Sequence, residues 1–173
     1  MAVYGVPSEL DGALPWPWAE ERLARCRNFW VATVDPTGAP HAMPVWGVWM
    51  ADAEVFFFSC APSSLKARNL STNPQVVVAI ESTTECVSIE GVATPLDPGL
   101  AADGYVAAYV AKYEPDPDLA EAMAGFVGSH AMYEVRPRKA FGIIETEADF
   151  GPRATRWVWD SGAEPTGGGD HQR

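Results

Sequence analysis

Histidine and cysteine are scarce in this chain, three of each among 173 residues. There is no CxxC pair, no HExxH and no Cys/His spacing of a zinc site, so nothing points to a metal centre. Cys26, Cys60 and Cys86 are an odd and widely spaced set. They read as reduced thiols in a cytoplasmic protein, not as a disulfide framework. Bases are also few: 12 Lys and Arg stand against 23 Asp and Glu, a formal net charge of −11. A nucleic-acid binder needs clustered cations to neutralise phosphates, and so does a protein that docks on an anionic membrane, so neither partner is expected. No apolar run approaches the roughly 18 to 20 residues that a bilayer span needs. Met1 to Leu10 has neither a basic start nor an apolar stretch, so no signal peptide is expected. GxGxxG and GxxxxGKS/T are missing, which removes two common nucleotide-binding fingerprints, and no nucleophile elbow marks a Ser-His-Asp triad. What remains is ordinary globular composition, 47% hydrophobic and 20% charged, in a chain long enough for one domain with a real core.

Along the chain, Met1 to Pro17 carries three prolines and reads as an irregular arm pinned by Trp16 and Trp18. Ala19 to Arg27 follows as a short surface helix. Residues 1–28 thus precede one domain over 29–160, and 161–173, with Gly167-Gly168-Gly169, read as a disordered tail. Phe29 to Val34 is β-branched and aromatic, stops at the turn signal Asp35-Pro36-Thr37-Gly38, and returns as Pro40 to Trp49. Glu54 to Ser59 is the third strand. Its Phe56-Phe57-Phe58 run is apolar on both faces, and the expectation is a strand covered on both sides, one of them by a partner chain. A helix opens at Pro62-Ser63-Ser64, with Leu65, Ala67 and Leu70 apolar, and closes at Asn73-Pro74. Gln75 to Glu81 and Cys86 to Ala93 are strands, and Asp97 to Phe126 is helical with a break at Glu114-Pro115-Asp116-Pro117. His130 to Glu145 is a strand in which Pro137 marks an edge or a bulge, and Thr155 to Trp159 is the last. Six or seven strands with helical insertions make a mainly β fold, a small barrel and not a βαβ sheet.

Two segments carry chemistry. Ser63-Ser64-Leu65-Lys66-Ala67-Arg68 sets two hydroxyls and two of the few bases at a helix start, where a cation is unfavourable unless an anion sits there. A phosphate held by serines, amides and Lys66 fits; so does a plain helix cap with solvated bases. His41-Ala42-Met43-Pro44-Val45-Trp46-Gly47-Val48-Trp49 is apolar, with Pro44 interrupting the ladder and Gly47 exposing backbone. It suits a flat aromatic ligand, or else a barrel core or dimer interface. No acid or base stands out as catalytic.

Taken in order, Val31-Ala32-Thr33-Val34-Asp35-Pro36-Thr37-Gly38-Ala39-Pro40, Pro44-Val45-Trp46, Phe57-Phe58-Ser59, Ser64-Leu65-Lys66-Ala67-Arg68-Asn69-Leu70, Asn73-Pro74 and Ala154-Thr155-Arg156-Trp157 resemble the split-barrel flavoprotein superfamily. This is the pyridoxamine-5′-phosphate-oxidase-like group, and the chain is most similar to its deazaflavin-dependent branch. The resemblance implies an FMN-binding type of split β-barrel, paired as a homodimer with a cofactor groove on each side of the seam. It places Ser63, Ser64 and Lys66 on the cofactor phosphate, with Arg68 and Asn69 nearby. Met43, Pro44, Val45, Trp46, Gly47 and Val48 would line the ring, Phe58 and Ser59 would flank the phosphate side, and Cys86 would approach from later strands. Pyridoxamine phosphate oxidases proper carry bases where this chain has Met43, Val48 and Leu65. The implied activity is a reductase using the deazaflavin coenzyme F-420 on a small conjugated molecule. An FMN-dependent oxidase or reductase is the first alternative, and a non-enzymatic carrier of flavin, deazaflavin or haem the second. Other bases fall in three clusters: Arg22, Arg25 and Arg27; Arg136, Arg138 and Lys139; Arg153 and Arg156. At least one of the later ones, Arg136 to Lys139 first, is expected to extend the basic path from Lys66 along the groove or across the dimer. The alternative is that they balance neighbouring acids on the surface.

Overall fold

The structure is a computed structural model that describes residues 12–97, 102–114 and 116–159. Most of the expected arm and all of the expected tail lie outside these residues. The arm's last turn is helical: α1 spans Trp16–Arg25, three residues earlier than the composition predicts. Pro15 and Pro17 permit this, because the first turn of a helix has no use for their missing N–H groups. Trp16 does pin the segment. Its indole packs edge-on against Trp49, Trp157 and Trp159 at centroid distances of 5.6, 5.3 and 4.8 Å.

The strands are β1 (Phe29–Val34), β2 (Pro40–Val45), β3 (Gly47–Met50), β4 (Val55–Cys60), β5 (Gln75–Ile80), β6 (Glu85–Pro95), β7 (Ala131–Ile144) and β8 (Thr155–Val158). Helix α2 (Leu65–Leu70) follows β4, while α3 (Ala102–Tyr113) and α4 (Pro117–Gly128) precede β7. The sheet runs β2-β1-β5-β6-β7-β4-β3, antiparallel throughout, with β8 on β7. Its two ends, β2 and β3, are consecutive in the chain and joined only by Trp46. The sheet must therefore curl until its ends meet, which makes a barrel that stays open between β2 and β3.

Eight strands appear among the described residues where six or seven were expected, because Pro40 to Trp49 breaks into two. Gly47 makes the corner: a Cβ there would stand 2.1 Å from Phe56 Cζ and 2.7 Å from the Phe57 carbonyl oxygen. Pro137 proves to be a bulge residue inside a central strand. The β6–β7 register shifts between Glu90 and Gly91, opposite Lys139 and Pro137, and β4 has already left β7 at Val135. The missing N–H is thus not required by β4.

Burial alternates as an antiparallel barrel demands. Phe29, Val31, Phe56, Phe58, Val78, Val87, Ile89 and Val135 fill the interior, closed by Trp157. The Phe run of β4 is covered on both faces, but by its own chain and not by a partner. Phe57 points away from the barrel into a second cluster with Val48 and Met132 of the neighbouring strands and Tyr109, Tyr113 and Val127 of α3 and α4. The helical insertion is what a strand apolar on both faces needs, and it lies far along the sequence.

Candidate functional site

The seam of the barrel holds an open groove of about 450 Å³. Pro44, Val45 and Trp46 line it from the end of β2, Ser59 from β4, and Ser64 and Lys66 from the start of α2. All six were expected at a cofactor, and the fold brings the two chemical segments to one place. The rest of the expected set surrounds the groove without lining it. Met43 is exposed on the edge strand β2, whereas Gly47 and Val48 are buried behind Trp46. Phe58 is buried in the barrel interior, stacked on Tyr133 at 5.3 Å, and Ser63 and Arg68 are exposed beside α2. Asn69 is buried, and its amide donates to Thr33 Oγ1 at 3.0 Å, so it ties α2 to β1. Cys86 stands opposite Ile143 on the outer face of the sheet, away from the groove.

Ser64 behaves as a cap. Its hydroxyl accepts the Ala67 N–H at 3.3 Å and donates to Cys60 Sγ at 3.4 Å. The cation at this side is Lys66, and among the described residues no other lysine or arginine lines the groove. The anticipated basic extension is not present within one chain. Arg136 bonds Glu134 at 2.7 Å, and Lys139 faces Glu90 across the ladder. A different base stands near instead: the Arg27 guanidinium lies 5.1 Å from the Trp46 ring centroid.

Six further lining residues escaped the sequence reading: Asn28, Cys60, Ala61, Tyr109, Phe126 and His130. Tyr109 carried a signal, since Tyr105, Tyr109 and Tyr113 recur every four residues and share one face of α3. Burial pushes the Tyr109 hydroxyl up, against a hydrogen bond from Ser59 that lowers it, so it stays a neutral phenol. Burial also pushes the Cys60 thiol up, with the Ser64 hydroxyl and the Lys66 charge pulling the other way. His130 Nδ1 lies 2.6 Å from the Phe126 carbonyl oxygen. A carbonyl only accepts, so Nδ1 carries a proton and Nε2 is the ring nitrogen left for another partner. Nothing in the sequence around His130 announced this.

The groove is thus a half-apolar slot with one ammonium, several hydroxyls and an imidazole. It lacks a paired acid and base, and the described residues hold no group of three or more His, Cys, Asp or Glu placed for a metal ion.

No curated protein matches the chain. Solved structures do. A pyridoxamine 5′-phosphate oxidase-related, FMN-binding protein from Nostoc punctiforme superposes with a TM-score of 0.59 at 16% identity, covering 88% of this chain and 95% of that one. HutZ, a haem storage protein from Vibrio cholerae, gives 0.58 at 18% identity over 70% and 88%. An F-420 reductase gives 0.50 at 24% identity over 70% and 94%. At these identities the likeness is one of fold. The sequence itself goes further, for residues 17–143 match the family model of pyridoxamine 5′-phosphate oxidase, and with the split barrel and its seam groove in place the chain belongs to that family.

Proposed function

We propose that the chain is an oxidoreductase that holds a flavin-type cofactor in the seam groove, the deazaflavin F-420 first of all, and reduces a small conjugated molecule. The observation that carries this is the meeting of Trp46 and Pro44 with Ser59 and Lys66 in one groove. Their chemistry fits the cofactor: an apolar, partly aromatic lining for a flat ring, and an ammonium with hydroxyls for a phosphate. Lys66 and Ser59 would hold the phosphate; Pro44, Val45, Trp46 and Tyr109 would flank the ring. When bound, the cofactor supplies the hydride. The protein's share is to fix the ring, to keep water from its apolar side and to present His130 Nε2 as a hydrogen-bonding partner. Arg27 beside Trp46 supports the longer, more anionic deazaflavin over FMN.

The same reading takes the protein as a homodimer. Strand registers put Trp30, Ala32, Val77, Ala79, Phe141 and Ile143 on the outer face of the sheet. Trp30 is 48% exposed in the single chain, and a second copy would cover this face and bring Cys86 toward a groove.

A second reading, a carrier without turnover, is favoured by His130. Its proton is fixed on Nδ1 by a backbone carbonyl, the arrangement that frees Nε2 for a haem iron. The absorption spectrum of protein purified from its own host decides among these. A deazaflavin band supports the proposal, flavin bands move the assignment to FMN, and a Soret band moves it to the haem carrier. Titration at several salt concentrations checks the first two, since affinity for the more anionic deazaflavin must fall more steeply with salt.

A further inference from the structure

Trp46 is held from behind. It is the one residue between β2 and β3, it is 36% exposed, and it lines the groove. Left to itself such a corner would let the indole change rotamer. Here the ring stacks on Tyr113, with centroids 4.9 Å apart and planes within 5°. The backbone beside it is tied to the same side chain: Gly47 N–H donates to the Tyr113 hydroxyl at 2.9 Å. That hydroxyl lies 2.8 Å from both the Gly47 and the Arg27 carbonyl oxygens and gives its one proton to either. Lys112 Nζ donates to the Gly47 carbonyl as well, at 3.0 Å. Both polar groups of Gly47 therefore end on the last turn of α3, and the Arg27 guanidinium lies 5.5 Å from the Tyr113 ring. Tyr113 does not line the groove, yet it is the residue through which α3 fixes the groove's aromatic lining.

We propose that Tyr113 is a positioning residue for the seam groove: its ring and hydroxyl lock the Trp46–Gly47 corner, so the indole is already set for a flat ligand. Holding a ring in its bound orientation removes the ordering cost that binding would otherwise bear. The ligand arm of this proposal rests on the function proposed above; the structural arm does not.

Tyr113→Phe keeps a stacking ring and removes the hydroxyl. Val87→Ala, a cavity in the barrel interior, serves as the destabilised comparison. FMN and F-420 are titrated well below the unfolding midpoint of each variant. The expected result is a loss of about three- to tenfold in affinity for Tyr113→Phe, the cost of ordering one side chain, and none for Val87→Ala. Trp46→Phe and the double variant complete a cycle, in which the two losses must be strongly non-additive. Equal Kd values for Tyr113→Phe and wild type, or additive losses, overturn the proposal. Without any ligand, the Trp46 indole N–H resonance, assigned by its disappearance in Trp46→Phe, must shift and broaden in Tyr113→Phe but not in Val87→Ala. An unchanged resonance overturns the proposal even if both cofactors bind. If neither cofactor binds wild-type protein, the function proposed above fails and this resonance alone decides. Should Tyr113→Phe not fold, wild-type protein is sufficient: the Gly47 amide must exchange slowly with solvent, and fast exchange overturns the proposal.

Discussion

Lys112 is half-buried between the backbone of Gly47 and the ring of Phe29, 4.8 Å from the ring centroid, and burial brings its ammonium down from 10.5 to about 8. The sign of its effect on stability follows. Below pH 8 the folded and unfolded chains both carry the charge, and folding bears the cost of burying it. Above that, the unfolded chain keeps a proton the folded one has released, so this group adds stability as pH rises toward its unfolded value. The thiols of Cys26, Cys60 and Cys86 are all pushed up by burial, ionise first in the unfolded chain, and work in the opposite direction. The difference in unfolding free energy between wild type and Lys112→Met reads the lysine together with its coupling to the Cys26 thiol. It should move in favour of wild type between about pH 8 and pH 9.5 and be level below that range; a level difference throughout contradicts the assignment. Lys66 and Lys112 also show where sequence reading reaches its limit. Lys66 was legible because its oddity is local, a cation at a helix start beside two serines. Lys112 was not, because its partners are carbonyl groups of Gly47 and Leu23, brought to it only by the fold.

Helix α2 illustrates the same division among elements. Its start was readable from Pro62 to Ser64 and its end from Asn73-Pro74, since caps and breakers act within a few residues. Which of its side chains face a ligand was not, because that depends on what the helix packs against. The resemblance set Asn69 beside the cofactor, whereas the fold turns its amide to Thr33, with both residues about 1% exposed. Asn69→Ala should therefore leave a buried hydroxyl without its partner and cost about 1–3 kcal/mol in urea unfolding, with cofactor affinity unchanged. Normal stability with weakened affinity would return Asn69 to the ligand. Strand β4 repeats the lesson. Three successive phenylalanines announced a strand covered twice, but alternation alone cannot say by what, and the answer, α3, joins it only through a distant insertion. The division of Pro40 to Trp49 was likewise hidden. Only the Phe56 ring pressed against Gly47 shows why the chain must turn there.

For the molecule as a whole, the barrel was legible because antiparallel strands keep a strict inside-outside alternation; the strand missed was the one made when Pro40 to Trp49 divides. Assembly rests on the face that alternation leaves outside. Trp30→Glu puts a charge into the middle of it, beside Ala79 and Pro44, without touching the barrel interior. Wild type should sediment as a dimer at micromolar concentration and Trp30→Glu as a folded monomer; a wild-type monomer would contradict the shared seam. The central claim concerns the groove, and one titration tests it most directly: F-420 and FMN against wild type and Lys66→Ala, followed by cofactor fluorescence, with the apoprotein melting temperature alongside. The account predicts that Lys66→Ala loses a charge-assisted contact of about 1.5–3 kcal/mol, which weakens cofactor binding by roughly one to two decades while apoprotein melting barely changes. Unchanged affinity with a lowered melting temperature would contradict it, and would leave Lys66 and Ser64 as parts of an ordinary capped helix.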